Sequence, residues 1–156
     1  MARVSVGDRA PGFELAGTGG GVYRLADYAG RWLILAFYPG DFTPVCTRQF
    51  CAYRDAADRL DELDAEVLGI SPQTIESHER FTREHDLTVP LLADPEREAI
   101  RAYGVLGPAG LVRRSIFVID PEGIVRHRHV ALLGLTFEDV DDLRRSLTKA
   151  RELAGA

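Results

Sequence analysis

Residues 32–38, Trp-Leu-Ile-Leu-Ala-Phe-Tyr, form an unbroken apolar run, and this run most restricts how the chain can fold. A strand that turns one face to water alternates polar and apolar side chains, whereas this run has no polar position. Such a strand is buried on both faces, as it is in a sheet flanked by helices. The run therefore predicts a buried strand of an α/β fold.

The segments around this strand alternate between strand-like and helix-like patterns. A small N-terminal hairpin is expected over residues 4–25, and the tight turn Asp-Pro-Glu-Gly at 120–123 should join the last two strands. Alternating strands and helices with a hairpin favour an α/β sandwich around a mixed β-sheet. The other predicted strands are 65–70, 89–93, 115–119 and 124–130, and the predicted helices are 43–63, 74–85, 95–103 and 136 to about 153.

Length and composition limit the classes of protein to consider. The 156 residues fit one domain, 1–156, that can bury a core without metal or disulfide support. No segment approaches the roughly 18 consecutive apolar residues of a membrane span, and the N-terminus lacks the apolar stretch of a secretory signal. We therefore expect a cytoplasmic protein with no membrane partner. A net charge of −5 with dispersed arginines argues against a nucleic-acid partner.

Cys46 stands at the junction between the buried strand and the first predicted helix. Thr43 is a suitable N-cap and Pro44 suits the first helical position, so Cys46 becomes the third helical residue. The free N–H groups of a first turn and the positive end of the helix dipole both favour a thiolate there. Cys46 is therefore placed to be a nucleophile, and the alternative is a small buried hydrophobic residue.

Cys51, the second cysteine, lies five residues farther along the same predicted helix. In an ideal helix the two Cα atoms would be about 8.7 Å apart, which exceeds the roughly 7 Å limit for a disulfide. Either Cys51 is an inert core residue, or oxidation of Cys46 is coupled to unwinding of the first helical turns. A metal site is disfavoured, because two thiols without a nearby His fall short of four ligands.

The segment 37–46, Phe-Tyr-Pro-x-x-x-Thr-x-x-Cys, resembles the peroxidatic-cysteine motif of the peroxiredoxins. Cys51, followed by Tyr-Arg-Asp at 53–55, is similar to the peroxiredoxin Q subfamily, also called bacterioferritin comigratory protein-like. Residues 6–15 resemble the opening of that family, and residues 114–120 resemble its late strand with an active-site arginine. The likeness thus spans almost the whole chain.

This resemblance implies a thioredoxin-like fold and a thiol peroxidase that needs no haem, flavin or metal. Cys46 would attack a peroxide oxygen and become a sulfenic acid. Cys51 would resolve it as an intramolecular disulfide, and thioredoxin or a similar dithiol protein would reduce that disulfide. The protein is expected to be a monomer or a weak homodimer.

The matched residues around Cys46 would each have a physical role. The hydroxyl of Thr43 can serve the thiolate or the peroxide, and Arg114 would hold the thiolate ionised and polarise the peroxide. The backbone N–H groups of Val45 and Cys46 would bind the second peroxide oxygen as negative charge develops on it. Pro39 would shield the thiolate from water and from larger oxidants.

Three positions depart from the pattern of the relatives. Gln49 stands where relatives usually carry Glu, so the orientation of Arg114 is harder to predict from the sequence. Phe42 and Val45 are bulkier and more apolar than the residues associated with this subfamily, which we interpret as an indication of organic hydroperoxide substrates.

Other functions remain open at this stage. A thiol–disulfide oxidoreductase would be expected to show Cys-x-x-Cys, which the spacing of Cys46 and Cys51 does not match. A peroxide sensor or holdase could use the same oxidation as a switch, and an external thiol could resolve Cys46 instead of Cys51. His127 and His129 share one face of a predicted strand, and we expect them to be solvated rather than to bind a metal.

Overall fold

A five-stranded mixed sheet forms the centre of the protein. The structure is a computed structural model and describes residues 4–131 and 136–155. The strands lie in the order β5-β4-β3-β6-β7, with β3 parallel to β4 and antiparallel to β6. A separate antiparallel hairpin precedes the sheet. The strands are β1 (Glu14–Ala16), β2 (Val22–Arg24), β3 (Trp32–Phe37), β4 (Ala65–Ser71), β5 (Leu91–Ala93), β6 (Ser115–Ile119) and β7 (Val125–Val130).

Helices cover both faces of this sheet, so residues alternate between two cores along β3. Ile34 and Ala36 belong to one apolar cluster, whereas Leu33 and Leu35 belong to the other. All four are completely buried, as the unbroken apolar run predicted. The helices are α1 (Pro44–Asp55), α2 (Ala57–Asp61), α3 (Ile75–His85), α4 (Glu98–Ala102) and α5 (Val140–Gly155). Over the described ranges, none of them is both long enough and apolar enough to cross a bilayer.

The expected mixed sheet, its flanking helices and the N-terminal hairpin are confirmed. The predicted helix 74–85 is found as α3, with Thr74 as its N-cap, since its side-chain oxygen accepts a hydrogen bond from the N–H of Ser77. The turn at 120–123 also joins two antiparallel strands, β6 and β7.

The predicted helix 43–63 is wrong as a single element. The backbone leaves helical geometry at Ala56, with φ −110° and ψ 27°, and thereby separates α1 from α2. Leu60 and Leu63 after this break are buried in the same cluster as Phe50 before it. The apolar stripe thus continues across a bend, which sequence periodicity alone reads as one helix.

Two other helices begin later than predicted because acidic side chains cap them. The carboxylate of Asp94 accepts hydrogen bonds from the N–H groups of Glu98 and Ile100, so α4 begins at Glu98 rather than at 95. Asp139 and Asp142 accept reciprocal bonds from each other's N–H groups, so α5 begins at Val140 rather than at 136. Strand β5 is likewise shorter than the predicted 89–93.

The strand directions bring three segments to one edge of the sheet. Because β3 and β6 are antiparallel, Phe37 at the end of β3 pairs with Ser115 at the start of β6. Because β3 and β4 are parallel, the loop after β3 and the helix after β4 also meet there. The segment around Cys46, the residue Arg114 and helix α3 therefore converge.

Candidate active site

Cys46 lies in the first turn of α1 and is completely buried. Thr43 is the N-cap residue, with extended backbone, and Pro44 opens the helix, as the sequence predicted. The first backbone bond of the helix runs from the N–H of Thr47 to the carbonyl of Thr43. Since proline has no N–H, the donors that the helix start leaves without an intrahelical acceptor are those of Val45 and Cys46.

Arg114 reaches the sulfur of Cys46 from the residue just before β6. Its Nη2 atom donates to Cys46 Sγ at 3.0 Å, and its side chain is buried. A charge-assisted bond of this kind favours the anionic form of its acceptor. The sheet thus brings together the two residues that the sequence suggested would act as a pair.

Gln49 fixes the other side of the guanidinium group. Its Oε1 atom accepts a bond of 2.5 Å from Arg114 Nη1, and its Nε2 atom donates to Tyr53 Oη at 3.1 Å. The hydroxyl of Tyr53 donates in turn to the carbonyl of Glu138 at 2.6 Å. Burial raises the pKa of Tyr53 well above its ordinary value, so the phenol stays a neutral donor. A neutral amide therefore orients Arg114, although the sequence left that orientation open.

The hydroxyl of Thr43 bonds within the loop before α1. It donates to the carbonyl of Gly40 at 3.1 Å. Its one hydrogen is therefore used in this arrangement, while its oxygen can still accept a hydrogen bond.

Phe42 and Val45 give the surroundings of the helix start an apolar character. Phe42 is 38% exposed, its ring centroid lies 5.0 Å from that of Phe81, and Arg80 Cζ lies 4.8 Å from it. Val45 and Pro39 are both half-buried.

Cys51 is half-buried on α1, next to the cluster that contains Cys46. Helix α1 runs without interruption through both positions, and both cysteines, which lie within the described residues, are free thiols. This matches the geometric expectation that the two sulfurs do not bond while the helix is intact.

Comparison with known proteins places this site in a family. The family model described as "AhpC/TSA family" matches residues 6–128. The chain belongs to the AhpC/TSA family. Peroxiredoxin Bcp of Bacillus subtilis is 39% identical over 127 residues, which cover 77% of this chain and 81% of that protein. The chain is thus a peroxiredoxin and a peroxidase enzyme.

Solved peroxiredoxin structures share the fold closely. Peroxidoxin BcpB from Mycobacterium tuberculosis superposes with a TM-score of 0.81 at 28% identity, covering 97% of this chain and 99% of that one. Peroxiredoxin Q from Xanthomonas campestris gives a TM-score of 0.79 at 28% identity, covering 87% and 89%. The thioredoxin-like fold and the peroxiredoxin Q or bacterioferritin comigratory protein-like subfamily are thereby confirmed.

One buried cluster beside the peroxiredoxin site was not found from the sequence. Asp41, in the loop before Cys46, pairs with His78 of α3 and also accepts from Tyr38 and Ser77. Asp41 and His78 are 37 positions apart, so no local pattern links them. The sequence signal that could have found them is an Asp inside the cysteine loop together with a His on the helix after the parallel neighbouring strand.

His127 and His129 lie on β7, and Arg113 directly precedes Arg114. His127 Nε2 is 3.6 Å from Glu138 Oε1, and His129 is exposed. Arg113 is exposed as well. Within the part of the chain that the structure describes, no three His, Cys, Asp or Glu side chains are grouped as a metal site requires.

Proposed function

We propose that this protein reduces hydrogen peroxide and organic hydroperoxides with Cys46 as the peroxidatic cysteine and Cys51 as the resolving cysteine. The observation that carries the proposal is the buried Cys46 in the first turn of α1 with Arg114 Nη2 3.0 Å from its sulfur. The helix start and the guanidinium group both stabilise a thiolate, which is the reactive form of a cysteine.

The first step is a displacement at oxygen. The Cys46 thiolate attacks the terminal oxygen of the hydroperoxide, an S–O bond forms, and the O–O bond breaks. The electron pair leaves with the second oxygen, which takes up a proton and departs as an alcohol or as water. Cys46 is oxidised to a sulfenic acid and the peroxide is reduced.

The surrounding groups support this step through charge and shape. The N–H groups of Val45 and Cys46 point out of the helix start and can donate to the oxygen on which negative charge develops. Arg114 is placed to polarise the same bond. Pro39 shields the sulfur from bulk water, and the apolar Phe42 and Val45 suit the carbon chain of an organic hydroperoxide.

The second step joins the two cysteines. The Cys51 thiol attacks the sulfenic sulfur, an S–S bond forms, and water leaves. Because α1 holds both cysteines in one continuous helix, the first turns of α1 must unwind before the sulfurs can meet. Thioredoxin or a similar dithiol protein then reduces the disulfide, forming its own disulfide and returning two thiols.

The proposal also covers the domain organisation, the location and the oligomeric state of the protein. We place this activity in a single peroxiredoxin domain, 1–156, that works in the cytoplasm as a monomer or weak homodimer and needs no metal or organic cofactor.

Mass spectrometry after one equivalent of peroxide tests the cysteine assignment. The wild-type protein should lose two hydrogen atoms as the disulfide forms, and hydrogen exchange in the first turns of α1 should increase. Cys51→Ser should instead gain one oxygen atom at Cys46 and turn over poorly with thioredoxin. Cys46→Ser should show neither change.

Two results would contradict the proposal. Recycling of Cys51→Ser by thioredoxin as fast as the wild type would assign resolution to an external thiol. A single oxidation without steady-state peroxide consumption, in the presence of excess thioredoxin, would favour a sensor.

A further inference from the structure

Asp41 and His78 form a buried pair next to the loop that leads into α1, and the peroxide chemistry does not consume either group. Asp41 Oδ2 lies 2.7 Å from His78 Nδ1, and both side chains are completely shielded from solvent. Burying such groups is costly unless they are paired and fully hydrogen-bonded. The positions of their partners therefore indicate what the pair does.

The hydrogen bonds around this pair fix the orientation of both side chains. His78 Nε2 lies 3.0 Å from the carbonyl of Leu92, which can only accept, so this nitrogen is the donor. Its Nδ1 faces Asp41, which also accepts from Tyr38 Oη at 2.8 Å and from Ser77 Oγ at 2.7 Å. Burial, followed by the charge of Asp41, raises the pKa of Tyr38 well above its ordinary value, so Tyr38 stays a donor. Asp41 and His78 are thus held by bonds from two helices, strands or loops at once rather than by their mutual contact alone.

This pair joins two segments that the sheet brings side by side. Asp41 lies in the loop after β3, whereas Ser77 and His78 lie on α3, which follows the parallel neighbour β4. The loop, residues 39–43, ends at Thr43, the N-cap of α1. Anchoring Asp41 therefore restrains the backbone two residues before the N-cap of the helix that carries Cys46.

The next residue of the loop is also held by α3. Phe42 has a φ of 63°, a left-handed conformation that a bulky side chain seldom adopts unless its surroundings impose it. Its ring packs on Phe81, and Arg80 lies over the ring face. Helix α3 thus fixes Asp41 through hydrogen bonds and Phe42 through aromatic packing.

We propose that Asp41 and His78 are a positioning pair for the peroxidatic cysteine. They hold the loop 39–43 against α3, so that the first turn of α1 presents Cys46 to Arg114. This inference rests on the proposed function, in which Cys46 is the reacting thiol.

The test compares Asp41→Ala, His78→Ala and the double variant in the full chain. Each single variant should lower the second-order rate of Cys46 with hydrogen peroxide by about 10- to 100-fold, the effect of displacing a reacting group by an ångström or less. Ionisation of Cys46 should move to higher pH. The double variant should be no slower than the worse single variant, because the two residues act as one unit.

The rate of disulfide formation distinguishes a positioning role of the pair from a purely stabilising one. Formation of the Cys46–Cys51 disulfide should keep its wild-type rate or become faster, because the loop no longer restrains the helix start. Glu79→Ala is the matched control on α3, since its carboxylate accepts from the N–H of Gly19 and does not contact the loop. Both rates should stay at the wild-type value in this control. Folded alanine variants that react with peroxide at the wild-type rate would overturn the proposal.

If the alanine variants do not fold, Asp41→Asn replaces them in the test. Its amide can donate to His78 Nδ1 while His78 Nε2 keeps its bond to Leu92, so the packing survives without the carboxylate. The rate with peroxide should fall several-fold, and an unchanged rate would again overturn the proposal.

The pH dependence of Cys46 alkylation distinguishes a failure of the proposed function from a failure of the positioning proposal. If the wild type does not react with peroxide at Cys46, the proposed function fails, and the alkylation profiles of the variants still test the pair. If the wild type reacts and the folded variants match it in both measurements, only the positioning proposal fails.

Discussion

Gln49 sets the charge balance around Arg114 at the scale of single residues. Its amide oxygen accepts from the guanidinium group and its amide nitrogen donates to Tyr53, so every polar atom of the side chain has a role. A neutral partner orients Arg114 without offsetting its charge. More of that charge is then left to stabilise the Cys46 thiolate than a carboxylate at position 49 would leave.

We expect Gln49→Glu to weaken the thiolate while holding Arg114 more tightly. Cys46 should react more slowly with peroxide, since a second anion then competes for the guanidinium charge. Disulfide formation should slow as well, because unwinding α1 would have to break a buried ion pair. Stopped-flow mixing with peroxide measures the two steps as successive phases.

Arg48→Gln is the matched control for Gln49→Glu. It also makes the charge of α1 more negative by one unit, but position 48 is exposed. Water and salt screen a charge at the surface, so its effect on Cys46 should be small. An equal loss of the peroxide rate in both variants would show that net charge, rather than the contact with Arg114, controls the reactivity of Cys46.

Signals in the sequence predicted the position of Cys46 and its partner Arg114, but not the pair of Asp41 and His78. Thr43 and Pro44 are residue types that favour a helix start, so the position of Cys46 in the first turn could be predicted, although the Thr43 side chain makes no capping bond. The contact between Asp41 and His78 depends on the order of the strands. Local sequence patterns do not reveal the order of the strands, so the contact becomes visible only in the structure.

Helix α1 is held on the sheet by a close approach at Gly69, and this contact belongs to the scale of elements. A Cβ atom at Gly69 would lie 2.8 Å from Leu91 Cδ2 and 2.9 Å from Phe50 Cζ, closer than side chains tolerate. The ring of Phe50 also packs on Tyr38 with centroids 4.6 Å apart. The missing side chain at 69 therefore sets how near α1 lies to β4.

Gly69→Ala should displace α1 from the sheet. The added methyl group should destabilise the fold by about 1–3 kcal/mol, the usual cost of overpacking a core. The reaction of Cys46 with peroxide should slow as well, because the shift of α1 separates its sulfur from Arg114. Gly12→Ala is the control, since a Cβ there meets nothing within 4 Å. A loss of stability in Gly69→Ala with an unchanged peroxide rate would refute this coupling.

The apolar periodicity of the sequence does not locate the ends of the helices. Periodicity does not reveal the break at Ala56 because Leu60 continues the apolar stripe of α1 in sequence. Thr136, followed by Glu138 and Asp139, has the composition of a first helical turn and therefore predicts a helix from 136. In the structure Asp139 and Asp142 bond to each other's N–H groups, and α5 begins at Val140.

At the scale of the whole molecule, Cys46 and Asp120 lie near opposite ends of the sheet. Phe37 and Ser115 pair at the end near Cys46, whereas Leu33 and Ile119 pair at the other end. Asp120 lies just beyond that second pair and organises the turn into β7. A change at Asp120 should therefore affect unfolding without affecting the chemistry.

The side chain of Asp120 accepts three hydrogen bonds and is almost fully buried. Its Oδ1 atom accepts from the N–H groups of Glu122 and Ile124 at 2.9 and 3.0 Å, and its Oδ2 atom accepts from Arg126 Nε at 2.8 Å. Burial alone would raise the pKa of Asp120, but the bonds from Ile124, Arg126 and Glu122 together hold it below its ordinary value of 3.8. Since the folded pKa is the lower one, Asp120 contributes stability above its unfolded pKa and loses it as the pH falls through the folded value.

Asp120→Asn should lower the free energy of unfolding at neutral pH by about 1–3 kcal/mol, because one of the three donors is left without a good acceptor. The difference from the wild type should shrink as the pH falls from 3.8 through the lower folded pKa, because the wild-type carboxylate then becomes protonated as well. Denaturant unfolding at several pH values measures this. Glu122→Gln, in the same turn but exposed, should change neither quantity. The rate of Cys46 with peroxide should stay at the wild-type value in both variants, and a parallel loss of rate in Asp120→Asn would show that the two ends of the sheet are coupled.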